Sequence, residues 1–513
     1  MNPPQANRAL NVAEVRAGRT WLSSTPLQLN VELTGICNVN PPCVFCSGKN
    51  VGYNYPPLDA AYLDHYADYL ERCQTINEDS FGEPLSHPQL LEVARRFTSR
   101  GQRFSLVSNG LLLSREKAEA LAALGPNLGL HISFNAATAK TFHWLTGKSF
   151  ELLVENVRMF VDIYHRRNGG SAPDLILTFI VMRVNRHEVP AFLQLAAELG
   201  TRALLAPLHE RPSKPLGRFG YDFVYEKEML PFEELQTVGR EAQQLAQSLD
   251  LIVNLQWDAG SDSAIRSFAE PGVDIPCLIP WRYLHLQQHS QNVYACPYHK
   301  RPIGNLSKQS LDEIWNNDAA RDLRSSLAVG RIPKFCWNHS ASCPLIYRAR
   351  HDGVHDAVTG DITMGENDYC HLVEGWHALE EIPDAVRWTS RRAAFRIAVG
   401  DGTTLCLRCQ SFKPHLEDDP ARGYVEVAGR EFAAIRLSRA GWHELRYPLP
   451  PEQRRAAVAD TTLVASIVTE NPWVPAETLR SSICEPVVGM PRVVAGSLDT
   501  RELGIMVQRI WVE

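Results

Sequence analysis

The chain has 513 residues, 44% hydrophobic and 21% charged, with a formal net charge of −6; it is long enough for roughly two to four globular domains. The charge gives no electrostatic reason to expect nucleic acid or an anionic membrane as partner. No apolar run approaches a membrane span, and MNPPQANRALNVAEVRAG lacks the charged-then-apolar order of a signal peptide, so a cytoplasmic location is expected, with most of the twelve cysteines reduced.

After a lead of residues 1–26, apolar β-rich runs occur at 27–33, 75–81, 104–110, 128–134, 175–182 and 203–208, and helix-like stretches separate most of them. In the fifth connection Val189, Phe192, Leu193, Ala196 and Leu199 keep helical spacing, and Gly200 follows as a stop signal. Strands buried on both sides and joined by helices make a parallel sheet, and six such units curl into an incomplete barrel, an α/β fold of partial (β/α)6 type over 27–260. Function is expected at the carboxyl ends of its strands.

Cys37, Cys43 and Cys46 follow the first run, separated by five residues and then two. A structural zinc site closes with four ligands, whereas three leave a position open. An incomplete zinc knuckle and unrelated buried thiols are the alternatives. Phe81-Gly82-Glu83-Pro84 follows the second run, Ser108-Asn109-Gly110 the third, Ser133 the fourth, and Arg183 and Asn185 the fifth, so all are expected on one rim.

These motifs, in this order, resemble the radical S-adenosylmethionine (SAM) superfamily. The usual signature has three residues between its first two cysteines, then Gly-Gly-Glu-Pro, then Ser/Thr-Asn-Gly. The present chain departs from it in having five residues there, and Phe81 in place of the first glycine. The resemblance implies that Cys37, Cys43 and Cys46 bind a [4Fe-4S] cluster whose fourth iron chelates SAM. It implies that Gly82, Glu83 and Pro84 receive the SAM amino group, that Ser108, Asn109 and Ser133 contact the ribose, and that Arg183 meets the carboxylate. One electron passed into the sulfonium then gives a 5'-deoxyadenosyl radical.

Cys277, Cys296, Cys336 and Cys343 form a second group in residues 261–350, and four cysteines can close a metal site. Tyr283 to Gln287 alternates like a strand, His289 to Asn292 reads as a turn, and Ser310 with Glu313 forms a capping box before Leu311, Ile314 and Trp315. The Cys-Leu-Ile-Pro-Trp start, Val-Tyr-Ala-Cys-Pro, Ile-Gly-Asn-Leu and Glu-Ile-Trp-Asn resemble the SPASM/twitch extension of radical SAM barrels. That resemblance implies one fully ligated auxiliary [4Fe-4S] cluster; from spacing alone a structural zinc is the alternative.

Of the other cysteines, Cys73 reads as a small buried residue, Cys406 and Cys409 point to opposite faces of one strand, and Cys484 has no visible partner. His209, Glu210 and Arg211 follow the sixth run, where they meet substrate or form a solvated loop. After a linker at 351–370, short alternating runs over 371–513 predict an all-β sandwich. Gly375-Trp376, Arg387-Trp388 and Leu503-Gly504 resemble β-sandwich modules of bacterial glycosyltransferases and surface-polysaccharide enzymes. Trp376, Trp388, Trp442, Trp473 and Trp511 either stack on sugars or fill the core, the commoner use.

Together the resemblances imply an enzyme that abstracts hydrogen from a sugar, aminocyclitol or nucleotide-sugar, with oxidation or epimerisation as outcome. A flavodoxin- or ferredoxin-type protein is the expected electron donor. A peptide-modifying maturase is the alternative, and a non-catalytic glycan-binding protein the alternative of another class. No hydrogen-atom donor for an epimerisation is evident in the sequence, which favours oxidation.

Overall fold

In the computed structural model the described residues are 2–46, 55–208, 223, 225–258, 268–298, 301–339, 343–351, 358–377, 379–382, 384–450, 462–475 and 501–513. The expectations for His209, Glu210, Arg211 and Cys484 lie outside them. The chain divides into two compact units, one running up to Arg348 and one from Ala349 to the C-terminus.

In the first unit β1 (Gln28–Val31), β2 (Thr75–Glu78), β3 (Arg103–Ser108), β4 (Leu128–Ser133), β5 (Asp174–Val181) and β6 (Arg202–Pro207) pair in parallel in chain order. This is the expected partial (β/α)6 barrel. Helices α2 (Leu90–Thr98), α3 (Arg115–Ala122), α4 (Ala139–Thr146), α5 (Phe150–Arg167) and α6 (Val189–Glu198) lie between the strands. Ser114, Thr138 and Ser149 cap the amino ends of α3, α4 and α5, each accepting a bond from a first-turn amide. Gly200 follows α6 at φ +64°, the left-handed conformation expected of a stop signal.

The sheet is wider than six strands. Beyond β6 lies β7 (Val253–Leu255), and on the far side of β1 lies β8 (Tyr283–Gln287), parallel to β1, followed by antiparallel β9 (Asn292–Tyr294) and β10 (Gly304–Asn305). The strand expected at 283–287 therefore extends the barrel sheet as well as opening a hairpin. Leu284 and Leu286 are fully buried and continue the apolar layer of Leu29 and Val31.

The expectation of strands apolar on both faces needs correction. Leu29, Ile76, Phe104, Leu130 and Leu175 are buried on one face, but the residues between them on the inner face are Asn30, Asn77, Ser105 and His131. These satisfy one another: Asn77 Nδ2 donates to Asn30 Oδ1 at 3.1 Å, Asn30 Nδ2 donates to Asp79 Oδ2 at 2.9 Å, and Ser105 Oγ donates to Asn77 Oδ1. Burial lowers the pKa of His131 to about 4, helped by Arg103 and Arg202, so it is neutral.

The lead contains helix α1 (Pro3–Arg16), opened by an Asn2–Gln5 capping box. It locks onto the residues before β8: Asn11 Nδ2 donates to Trp281 O at 2.8 Å, and Asn11 Oδ1 accepts from Arg282 Nε at 2.9 Å. The Ser310–Glu313 capping box forms as expected and starts a helix at Leu311–Trp315, where Trp315 Nε1 donates to Ser24 O at 2.7 Å.

The second unit is the expected β-sandwich. One layer joins β15 (Thr404–Gln410), β18 (His443–Pro448) and β20 (Met506–Val512); the other joins β16 (Ala421–Val427), β17 (Arg430–Leu437) and β19 (Thr462–Thr469). The long β14 (Asp384–Ala398) pairs with β20 through Arg387 and Trp388, and with β19 from Arg392 onward, so it passes from one layer to the other. Phe395, Ile397, Leu407, Cys409, Val425, Ile467 and Ile510 fill the core. The stretch expected as linker, 351–370, supplies β11 (Asp361–Thr363), which pairs with β20 and buries Ile362, and after it β12 (Leu372–Trp376) and β13 (Glu380–Ile382) pair with β14. Trp388, Trp473 and Trp511 are buried, and Trp388 meets Trp473 edge-on at 6.5 Å, which is the core use of tryptophan.

Candidate active site at the carboxyl rim of the barrel

The rim is built by two segments that clamp each other. Past β1 the chain runs through Thr34, Gly35 and Ile36 to Cys37; past β2 it runs through Gly82 and Glu83 to Pro84. Gly82 N donates to Thr34 O at 3.1 Å and Glu83 N donates to Ile36 O at 2.8 Å. A Cβ on Gly82 would lie 2.4 Å from Ile36 O and 2.6 Å from Thr34 O, so only glycine allows this backbone-to-backbone contact.

Glu83 fastens the third segment. Its buried carboxylate accepts from Leu85 N at 2.9 Å, Ser108 Oγ at 2.7 Å and Asn109 N at 2.7 Å. Burial raises its pKa, while those bonds and Lys117 pull it back down. Asn109 turns toward the cysteine loop, its Nδ2 donating to Cys37 Sγ at 3.7 Å and to Asn38 Oδ1 at 2.7 Å. Cys37, Gly82, Glu83, Ser108 and Asn109 thus form one connected network. Cys43 and Cys46 share a turn, Cys46 N donating to Cys43 O at 3.0 Å, and Val44 N ties that turn to Leu145 O at 3.0 Å at the end of α4.

Ser133 ends β4 on the same rim, half-buried. Arg183 follows β5 but is exposed: its Nε donates to Lys227 O at 3.1 Å and its guanidinium pairs with Glu234 at 3.5 Å.

The second cysteine group also assembles. Cys296 and Cys343 are buried, Cys277 and Cys336 half-buried. Burial pushes the thiols of Cys296 and Cys336 well up, and the nearby Cys343 and Cys277 raise both further, with Cys336 adding to the effect on Cys296. Without a cationic partner these thiols stay protonated, and binding one would release their protons. Tyr298 N already donates to Cys296 Sγ at 3.4 Å.

Sequence reasoning missed a buried polar cluster at the β1–β8 seam. Glu32 is fully buried; its Oε2 bonds His289 Nδ1 at 2.7 Å and its Oε1 lies 3.9 Å from His285 Nε2. Tyr55 stacks on His289 with ring centroids 4.6 Å apart. Glu78 is fully buried at the end of β2, and burial raises its pKa to about 8. The available signal was the period-two run of polar residues Gln28, Asn30 and Glu32 through the first strand.

Residues 31–196 match the model of the radical SAM superfamily, and residues 277–344 match that of the iron-sulfur cluster-binding SPASM domain. The chain carries a radical SAM domain followed by a SPASM domain. It is 26% identical over 371 residues to the AdoMet-dependent heme synthase of Methanosarcina barkeri, covering 68% of this chain and 97% of that protein. It is 23% identical over 312 residues to a tungsten-containing aldehyde ferredoxin oxidoreductase cofactor-modifying protein of Pyrococcus furiosus, covering 56% of this chain and 81% of the relative. Among solved structures, Streptococcus suis SuiB aligns with a TM-score of 0.47 at 14% identity, over 62% of this chain and 72% of that one.

The cofactors of this radical SAM enzyme are SAM and two [4Fe-4S] clusters. The donor sets fit: three cysteines on the rim with an amide donating to one sulfur, and four thiols near enough to raise one another's pKa, which a bound cationic cluster would lower again. Among the described residues no three Cys, His, Asp or Glu side chains stand as close as they would around a single metal ion, so both cysteine groups would have to draw in to hold a metal of any kind. No helix among the described residues is long and apolar enough to cross a membrane.

Proposed function

We propose that this radical SAM enzyme dehydrogenates a hydroxyl- or amine-bearing small molecule, a sugar, aminocyclitol or nucleotide-sugar. Cys37, Cys43 and Cys46 hold the SAM-binding cluster, and Cys277, Cys296, Cys336 and Cys343 hold the auxiliary one. Gly82, Glu83, Pro84, Ser108, Asn109 and Ser133 shape the SAM pocket. Arg183 joins them only if its guanidinium leaves Glu234. Bound there, SAM and its cluster would supply a 5'-deoxyadenosyl radical that takes one hydrogen atom from carbon, and the auxiliary cluster would accept the remaining electron as the hydroxyl or amine proton leaves. The chain's own part is to seat the cysteine loop through Gly82 and Asn109, and to line the barrel with groups that orient a polar substrate.

The observation that carries the substrate class is the hydrophilic inner face formed by Asn30, Asn77, Asp79, Ser105 and His131, directly below the rim. Oxidation is favoured over epimerisation because the one described barrel cysteine outside the two groups, Cys73, is buried before β2 at the opposite end of the strands, its Sγ on Pro26 O at 3.3 Å. A flavodoxin- or ferredoxin-type protein is the proposed reductant.

A tetrapyrrole precursor is the second reading, favoured by the match along 97% of the heme synthase. The test is anaerobic reconstitution followed by SAM, a reductant, and a panel of nucleotide sugars, aminocyclitols and a tetrapyrrole precursor. About eight irons per chain and 5'-deoxyadenosine formation are expected. Turnover of the tetrapyrrole alone overturns the sugar reading, and solvent deuterium in the product overturns dehydrogenation in favour of epimerisation.

A further inference from the structure

The buried Glu83 carboxylate ties three segments of the rim together, and a charge taken out of water is costly unless a partner balances it. The cation comes from outside the rim. Lys117, half-buried in the first turn of α3, donates from Nζ to Leu85 O at 2.7 Å. Leu85 is therefore held at both ends, its amide by Glu83 Oε1 at 2.9 Å and its carbonyl by Lys117. The positive field of Lys117 also reaches the Glu83 carboxylate and favours its ionised form. His87, two residues past Leu85, is engaged elsewhere, its ring nitrogens on Leu58 O at 2.8 Å and Gln89 N at 3.1 Å.

Helix stability does not explain a lysine at this position. Positive charge in a first turn opposes the helix dipole, and Glu116 and Glu119, one and two positions away, do not face it. What the position gives is reach. The segment between β3 and α3 carries Ser108 and Asn109, which bond Glu83, at one end, and at the other Ser114, whose Oγ accepts from Lys117 N at 3.3 Å. A run of hydrogen bonds then leads from Lys117 through Leu85, Glu83 and Asn109 to Cys37 Sγ.

We propose that Lys117 is a positioning residue for SAM, fixing the Pro84–Ser86 turn and balancing Glu83 so that both stay in place against Ser108 and Asn109; this rests on the SAM pocket proposed above. Lys117 acts through Leu85 and Glu83, so its loss weakens the seating of SAM more than the cleavage of SAM once seated.

The test compares Lys117→Met, Lys117→Arg, Glu83→Gln and the Lys117→Met, Glu83→Gln double variant with the wild type, each reconstituted to the same iron content, with 5'-deoxyadenosine formation followed against SAM concentration. Lys117→Met should raise KM for SAM about tenfold with kcat within about twofold of the wild type. Lys117→Arg keeps the charge and the donors and should return KM to within about threefold. Arg115→Met, which removes an exposed charge from the same turn, should match the wild type. An unchanged KM in Lys117→Met, or a rise that Lys117→Arg or Arg115→Met shares in full, overturns the proposal. The link to Glu83 is read on the cofactor-free chains by urea unfolding. Lys117→Met should lower the midpoint, and by about half as much or less in the Glu83→Gln background, where only the Leu85 bond is lost; equal drops overturn the link. A Glu83→Gln chain with the wild-type KM fails the SAM-pocket reading instead, and the urea comparison still decides whether Lys117 serves Glu83.

Discussion

Gly82→Ala tests the clamp that seats the cysteine loop. The new Cβ would stand 2.4 Å from Ile36 O, while ordinary contact begins at 3.4 Å, so one segment must retreat by about 1 Å. The obstacle is backbone on both sides, Thr34 O being 2.6 Å away, so no side-chain rotation relieves it. Overpacking of this kind costs about 1–3 kcal/mol, part of it through the Gly82–Thr34 and Glu83–Ile36 hydrogen bonds. The larger effect falls on function, because a shift of about 1 Å in a reactive geometry lowers rates about 100-fold. The assay is the initial rate of 5'-deoxyadenosine formation by anaerobically reconstituted protein, with iron content and melting temperature measured on the same samples. The expected result is a variant that folds and yet cleaves SAM about 100-fold more slowly. A full rate in Gly82→Ala would refute the clamp.

Asn109→Leu removes the donor to Cys37 Sγ; a bond to a cluster sulfur favours the reduced state, so the SAM-binding cluster should become harder to reduce, read as a lower potential in an EPR-monitored titration. Cys296→Ala should lower iron and sulfide from about eight to about four per chain, and unchanged iron would sink the second-cluster assignment. Glu78→Gln tests burial at the end of β2. With the Glu78 pKa raised to about 8 from 4.5, the native state keeps a proton that the unfolded chain has lost, so wild-type stability present below 4.5 is lost as pH rises toward 8. Glutamine does not titrate, so the variant should gain on the wild type by up to about 1.4 kcal/mol per pH unit across that window, measured by urea unfolding; a pH-independent difference would refute it.

What was legible in the sequence and what was not divides on physical lines. The β runs could be read because their outward residues, such as Leu29, Phe104 and Leu175, must be apolar to bury against helices. Gly82 and the three rim cysteines stood out because close backbone approach and metal ligation each admit very few residue types. The inner face was misread because it is polar and satisfied pairwise, so its burial leaves no apolar run. The pairing of β8 with β1 was invisible because register between distant segments is decided by which faces find cover, not by local propensity.

The same non-locality explains the buried pair. Glu32 and His289 are 257 positions apart, and neither residue type announces a partner at that distance. Register alone brings them together: Asn30 faces His285 and Val31 faces Leu286 across the β1–β8 seam, which carries Glu32 and the turn after β8 to the same end of the sheet. A one-residue slip would turn His285 to the helix-covered face and expose Leu284 to the polar interior. The buried leucines that make β8 a strand are therefore also what brings the imidazoles to the rim, and any substitution that loosens Leu284 or Leu286 should weaken the Glu32–His289 pair before it weakens the barrel.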